Sequence, residues 1–174
     1  MRQWLAAAAA ALALGSTAAA TPQFDVIAAL QNLRAGRGAD ALYLLNRAIE
    51  SRALPPGELA DALEWRAYVR MQQRSFGTAR LDLDAAIAAD KDNALRLRAR
   101  ARFFLRLSDY RAALADIEAV LGRFPTDAEN YADYCEALLG LGRRAEALQQ
   151  CRKAVQVNPE YARARTLLRR AGGR

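Results

Sequence analysis

Histidine is absent from this 174-residue chain. Its absence excludes serine–histidine and cysteine–histidine catalytic pairs and every histidine metal site, which together cover much of hydrolase and metalloenzyme chemistry. Valine and isoleucine together contribute only nine residues, whereas alanine contributes 41. This composition favours helices over sheets, because alanine is the strongest helix former and β-branched residues prefer strands.

The first 20 residues have the pattern of a secretory signal peptide. A short positive start, Met1–Trp4, precedes an unbroken apolar run over residues 5–14, and three alanines at 18–20 supply an A-x-A cleavage site. A membrane-spanning helix needs about 20 apolar residues, so this run is too short for one. We therefore predict a cleaved signal peptide at 1–20 and a folded domain at 21–174, with an uncleaved anchor helix as the alternative.

The rest of the chain repeats with a period of 34 residues. The recurring small or apolar residues are Ala67, Ala101 and Cys135, then Ala79, Ala113 and Ala147, then Ala86, Val120 and Ala154. They define units at 60–93, 94–127 and 128–161. A weaker upstream unit spans about 22–59 and is offset by four residues. These extra residues fall within 51–59, where Pro55-Pro56-Gly57 predicts a loop.

A 34-residue helical period resembles the tetratricopeptide repeat (TPR). In the clearest unit the matching residues are Tyr131, Tyr134, Cys135, Leu138, Gly142, Ala147, Cys151, Ala154 and Pro159. The resemblance implies an all-α, right-handed superhelical array of helix-turn-helix units. Stacking is required because a single helical pair cannot bury its apolar face alone. Residues 162–171 are predicted to form a capping helix that covers the last unit.

Charged residues interrupt the predicted helix interfaces at two positions of the repeat. Arg66 and Arg100 stand at position 7 of their units, where the family usually has leucine, and Asp82 and Asp116 stand at position 23. These positions lie roughly opposite each other in an antiparallel hairpin. We therefore predict the structural ion pairs Arg66–Asp82 and Arg100–Asp116, with a functional charged site as the alternative.

The two cysteines also face each other in the predicted array, Cys135 at position 8 and Cys151 at position 24 of one unit. An exported protein meets an oxidising compartment, where an even cysteine count is compatible with a disulfide. Against a bond, helix axes usually lie about 8–10 Å apart, whereas a disulfide needs Cα atoms within about 7 Å. A disulfide and two buried thiols both stay open.

TPR arrays bind ligands mostly on the concave face, and the resemblance implies a peptide-binding groove lined by the first helix of each unit. The candidate groove residues are Glu64, Tyr68, Met71, Arg98, Arg102, Leu105, Arg106 and Glu136. The three arginines recur every four residues and therefore lie on one helix face. Arginine binds carboxylates through two parallel hydrogen bonds, so an acidic peptide with apolar anchors would fit. Alternatively, the arginines pair with Glu64 and Glu136 and are structural.

An enzymatic function finds little support in the sequence. It contains no glycine-rich phosphate loop, serine elbow or metal-ligand cluster. Glu64 and Glu136 are two units apart with an arginine-rich helix between them, which is a poor geometry for glycoside cleavage. We therefore predict a protein with no catalytic residues, no metal and no cofactor.

The function expected from these patterns is that of a non-catalytic adaptor in the bacterial envelope, exported to the periplasm, which binds a partner protein or peptide in the TPR groove. The net charge of +7 raises polyanion binding as the alternative. The excess charge is concentrated in Arg163, Arg165, Arg169, Arg170 and Arg174. This cluster suits anionic lipid headgroups. No nucleic-acid partner is expected, because acidic residues are interleaved with the basic residues through the middle of the chain. Self-association through Val26, Ile27 and Leu30 of the weak first unit is a further possibility.

Overall fold

The computed structural model describes residues 21–172, and within this range the chain forms nine α-helices. They are α1 (Pro22–Arg34), α2 (Gly38–Glu50), α3 (Pro56–Gln72), α4 (Phe76–Ala89), α5 (Leu95–Arg106), α6 (Tyr110–Arg123), α7 (Ala128–Gly140), α8 (Arg144–Val157) and α9 (Ala162–Ala171). The predicted signal peptide, 1–20, lies outside the described residues. No described helix has the length and apolar character required to cross a membrane.

The first eight helices form four hairpins, and each hairpin turns through three residues. The middle residue of each turn has a positive φ angle, between 58° and 74°. Glycine supplies this conformation at Gly36 and Gly142, whereas Arg74 and Ser108 adopt it in the middle hairpins. All four turns therefore have the same backbone conformation, although only two of them have the glycine that favours it.

One predicted loop is shorter than expected. The stretch 51–59 was predicted as a loop, but α3 already begins at Pro56. Proline is favoured in the first turn of a helix, because its fixed φ angle suits the helix and its missing N–H would have no partner there. The second of the two prolines therefore starts the helix, ahead of the predicted unit boundary at residue 60.

Small residues bring the two helices of each hairpin close together. Position 8 holds Ala29, Ala67, Ala101 and Cys135, and position 24 holds Leu45, Leu83, Ile117 and Cys151; all eight are buried. In three hairpins a small alanine therefore packs beside a larger aliphatic residue. In the fourth, two cysteines replace this small–large pair.

The structure joins Cys135 and Cys151 in a disulfide, with their Cα atoms 5.3 Å apart. The argument from helix spacing against a disulfide was wrong, because it compared the distance between helix axes with the distance between Cα atoms. Each Cα lies about 2.3 Å from its helix axis, so two facing Cα atoms are closer than the axes by roughly 4.6 Å. The bond therefore fits between helices at ordinary packing distance.

The disulfide predicts a stability that depends on redox conditions. The two cysteines are 16 residues apart in sequence, and closing a loop of about 15 residues contributes about 3 kcal/mol in the chain-entropy model. We expect a reductant to lower the free energy of urea unfolding by about that amount. The matched control is Cys135→Ala with Cys151→Ile, which restores the residue pair of the preceding hairpin. Equal sensitivity of both proteins to reductant would contradict the assignment.

The third and fourth hairpins meet where an aromatic ring occupies the space beside a glycine. A Cβ atom built on Gly140 would lie 2.3 Å from Cε2 of Tyr110. Tyr110 begins α6 and Gly140 ends α7, so this contact sets how closely the two hairpins stack.

Substituting Gly140 by alanine tests this contact, with Gly122 as a control site where an added Cβ atom meets no neighbour. Gly140→Ala should lower the free energy of unfolding by about 1–3 kcal/mol, because the ring must move. Gly122→Ala, at an α6 site with nothing within 4 Å, should raise it by up to about 1 kcal/mol, because alanine is the better helix former. Thermal and urea unfolding of both variants measure this. Equal effects would show that the ring moves freely.

Candidate functional site

Two adjoining clefts lie on the face formed by the first helix of each hairpin. The apolar cleft, between α3 and α5, has a volume of about 260 Å³, and its side chains include Trp65, Tyr68, Met71, Ala99, Phe103 and Arg106. The charged cleft, between α5, α7 and α9, has about 470 Å³ and is lined by Arg102, Leu105, Arg106, Glu129, Asp133, Glu136, Tyr161 and Arg163. Arg102 and Arg106 line both clefts, which therefore form one continuous groove.

The structure brings seven of the eight predicted groove residues into these clefts. Those lining the apolar cleft are Glu64, Tyr68, Met71, Arg102 and Arg106, and those lining the charged cleft are Arg102, Leu105, Arg106 and Glu136. Leu105 is largely buried and belongs to the core as much as to the groove. Arg98 lines neither cleft.

Two of the three arginines in the predicted ladder are engaged by acidic residues of the next hairpin. Arg98 Nη1 lies 2.9 Å from Asp127 Oδ2. Arg102 Nη2 lies 2.6 Å from Glu129 Oε2. The hydrogen bond from Arg102 lowers the pKa of Glu129, so this carboxylate stays ionised at neutral pH. These arginines tie α5 to α7, and their partners are not the glutamates named by the sequence.

A buried carboxylate joins α5, α7 and α9. Asp133 is only 1% exposed, and its two oxygens accept hydrogen bonds from Arg102 Nε at 3.1 Å and from Arg163 Nη1 at 2.5 Å. Arg163 also donates to Glu136. The capping helix is thus bound to the groove by charge as well as by apolar packing. The sequence did not identify Asp133, because its partners Arg102 and Arg163 lie in the preceding unit and in the capping helix. The other units do not repeat this pairing, so no 34-residue periodicity marks it.

Arg106, the third arginine, differs from the other two. Arg106 is exposed, and it makes no salt bridge with any residue of the described range 21–172. Both acidic candidates on either side of it are held elsewhere: Glu136 accepts from Arg163, and Glu64 accepts from Arg96 Nη1 at 3.2 Å. Arg106 is therefore a cation at the junction of the two clefts that forms no salt bridge with the carboxylates of the described chain, although Glu64 and Glu136 line the same clefts.

Arg96 holds the acidic residues at the other end of the apolar cleft. It is buried and lies within 2.6 Å of Asp61, 2.9 Å of Asp90 and 3.2 Å of Glu64. Burial raises the pKa of Glu64, while Arg96 opposes that shift. Sequence reasoning missed this residue because the aligned positions in the neighbouring units hold Ala62 and Asn130, so no periodic signal marks it.

The two predicted cross-helix positions carry bidentate ion pairs. Arg66 Nη2 lies 2.6 Å from Asp82 Oδ1, and Arg100 Nη2 lies 2.7 Å from Asp116 Oδ1. Both aspartates are buried. Each arginine also reaches the preceding hairpin, where its Nη1 donates to Asn46 at 3.1 Å or to Asp84 at 2.8 Å. These positions therefore link neighbouring units as well as the helices within one unit.

The outer hairpins use different cross-helix pairs. In the first, Arg47 of α2 donates to the buried Asp25 of α1. In the fourth, the Lys153 ammonium lies 5.6 Å from the centre of the Tyr131 ring. These pairs occupy equivalent positions of their hairpins, positions 4 and 26. Sequence reasoning missed both, because it looked for the pairs of the middle units at positions 7 and 23.

Replacing the Asp133 carboxylate by an uncharged amide of similar shape tests the network at the groove. Asp133→Asn should lower the free energy of unfolding by about 2–4 kcal/mol, because two partly buried guanidinium groups lose their shared carboxylate while remaining water screens part of the loss. Glu146→Gln, which breaks an exposed pair with Arg143, should leave the urea midpoint nearly unchanged. Similar midpoints for the two variants would refute a structural role for Asp133.

Comparison with known proteins agrees with this architecture. Residues 104–171 match the family model described as Tetratricopeptide repeat. The solved structure of MamA, residues 41 to the end, from Desulfovibrio magneticus RS-1 superposes with a TM-score of 0.76 at 19% identity, covering 87% of this chain and 83% of that chain. MamA of AMB-1 superposes with a TM-score of 0.67 at 17% identity, covering 86% of this chain and 80% of that chain.

A longer protein contains the same arrangement. Cut9 in the APC/C hetero-tetramer Cut9–Hcn1 superposes with a TM-score of 0.74 at 18% identity, and the match covers 87% of this chain and 30% of that chain. The chain therefore has the TPR fold, with the family-model match lying over residues 104–171, and the prediction of an all-α TPR array is confirmed. The TPR fold indicates a role in protein–protein interaction or as a scaffold. Among residues 21–172 no group of three or more acidic or cysteine side chains is placed to hold a metal ion.

Proposed function

We propose that the protein is a non-catalytic adaptor of the bacterial envelope that holds a partner protein or peptide in its groove. The observation that carries the proposal is the apolar cleft, where Trp65 and Tyr68 are 40% and 41% exposed. Aromatic side chains that remain this accessible beside a cleft are typical of contact sites in protein interfaces. Neighbouring hairpins hold the groove in shape, so little ordering is needed for a partner to bind.

Location in the periplasm is supported by two independent features of the chain. The sequence of residues 1–20 has a positive start, an apolar run and an A-x-A site. The described cysteines are both in a disulfide, and such bonds persist in oxidising compartments such as the periplasm. The partner is accordingly expected among envelope proteins.

A second candidate function uses the basic C-terminal end. Arg165, Arg169 and Arg170 are exposed on α9 and suit a polyanion or an anionic membrane surface. Arg163 does not belong to this surface, because it is bound to Asp133 and Glu136. Arg174, the fifth arginine of the predicted cluster, lies outside the described residues. Replacing the three exposed arginines by glutamine should abolish retention on heparin or anionic vesicles if this function holds.

Self-association remains a proposal for the other end of the array. Phe24 and Ile27 on α1 are each 51% exposed, and no hairpin precedes α1 among the described residues. Val26 and Leu30 are only partly buried. A sedimentation mass that rises with concentration, and that Ile27→Ser abolishes, would support a second copy at this face.

Affinity capture from an envelope extract tests the adaptor function. The groove variant combines Tyr68→Ala with Arg106→Gln, which spares the structural arginines Arg98 and Arg102. The control variant combines Tyr43→Ala with Arg111→Gln, an exposed tyrosine and arginine on second helices outside both clefts. We expect a partner retained by the parent and the control but depleted about tenfold or more by the groove variant, as for the loss of interface anchors.

The outcomes separate the candidate functions. Retention of the same protein by all three baits would place the interface outside the groove. Retention of no protein by any bait would contradict the adaptor function in this compartment. Circular dichroism of each bait verifies that the substitutions leave the helices intact.

A further inference from the structure

The apolar cleft has the size and walls of a pocket for one large side chain. Its volume of about 260 Å³ is below the roughly 300–1,000 Å³ of pockets for drug-sized molecules. Phe103 is buried and forms part of its lining, and Trp65 and Tyr68 meet edge to face with ring centres 6.3 Å apart. Met71 adds a flexible side chain that adapts to an inserted group. An apolar side chain entering here would displace water from aromatic surface.

Among the charged side chains that line the apolar cleft, only that of Arg106 makes no salt bridge in the described chain. Glu64 lines the cleft, but its carboxylate is held by Arg96, and Arg102 is held by Glu129 and Asp133. Arg96 in turn faces three carboxylates, and Asp133 is shared by Arg102 and Arg163. These charges form salt-bridge networks of the described chain, and Arg106 takes no part in them. An exposed guanidinium in this position attracts a carboxylate, which it can bind with two parallel hydrogen bonds.

We infer that the groove selects a peptide segment in which an apolar side chain enters the apolar cleft and a neighbouring aspartate or glutamate binds Arg106. The inference rests on the proposed adaptor function and specifies the chemistry of its partner. A nucleic acid fits less well, because it needs several phosphate contacts and only one cation at this cleft lacks an acidic partner in the described chain. The edge-to-face aromatic pair also presents no flat platform for stacked bases.

The experiment uses the full chain with Trp4→Phe, so that Trp65 in the cleft is the only tryptophan. A random twelve-residue peptide library displayed on phage is selected against it. The tightest peptide is synthesised with a fluorescent label, together with a version in which each acidic residue becomes its amide. Binding is measured by polarisation of the label and by Trp65 fluorescence, which responds if the cleft is occupied.

Five proteins, each measured with both peptides, isolate the contact. On the parent, the acid-to-amide change should weaken binding by about fivefold, the effect of one partly exposed ion pair. The same weakening is expected on Arg111→Gln, an exposed arginine outside the groove. On Arg106→Gln the two peptides should differ by less than about twofold, and Arg106→Lys should recover part of the difference. Tyr68→Ala should weaken both peptides alike.

Several results would overturn the inference. Selected peptides without acidic residues, or an acid-to-amide effect that persists on Arg106→Gln, would show that Arg106 does not recognise the partner; the adaptor function would survive if envelope capture still depends on the groove. Displacement of the peptide by the oligonucleotide dT12 at similar concentration would favour a nucleic acid. Failure to select any binding peptide, together with failed capture, would overturn both this inference and the adaptor function.

Discussion

Buried carboxylates held by arginines are the interaction on which this structure depends. Asp25, Asp82, Asp116 and Asp133 are all nearly inaccessible to water, and each accepts hydrogen bonds from at least one arginine. A buried charge is tolerated only when it is paired and hydrogen-bonded. Each of these aspartates therefore requires its arginine in one place, and each arginine in turn determines where its helix can sit. The choice of arginine over lysine follows from this, since the planar guanidinium donates in a fork.

The properties of the groove follow from how these pairs are distributed. Pairing consumes Arg96, Arg98, Arg102 and Arg163 on the face formed by the first helices. Of the charged side chains that line the two clefts, only that of Arg106 makes no salt bridge within the described chain, and it lies beside the apolar cleft. The groove therefore offers a partner the apolar cleft and the Arg106 guanidinium, because the other charged side chains that line it are already in salt bridges within the chain. A count of arginines in the sequence overstates the positive charge available to a partner.

Much of the fold could be predicted from the sequence because its determinants are periodic. Small residues that let two helices approach recur every 34 residues, and so do the turns between the helices. The partners of Asp133 and Arg96 could not be predicted, because they depend on how one unit stacks on the next and no other unit repeats them. The Asp25–Arg47 pair could not be predicted for a related reason, because these two residues occupy repeat positions that hold apolar residues in the middle units. For the cysteines the obstacle was geometric, since axis spacing is a poor substitute for the distance between facing Cα atoms.

The position of the disulfide has a consequence for the dynamics of the array. In a repeat protein each unit is stabilised mainly by itself and its nearest neighbours. The fourth hairpin is cross-linked by Cys135–Cys151 and covered by α9, whereas the first hairpin has a neighbour on one side only within the described chain. Local unfolding should therefore be unequal along the molecule, and it should start at α1 and α2. Amide protons would then exchange with solvent in a gradient, fastest at the N-terminal hairpin and slowest around the cross-link.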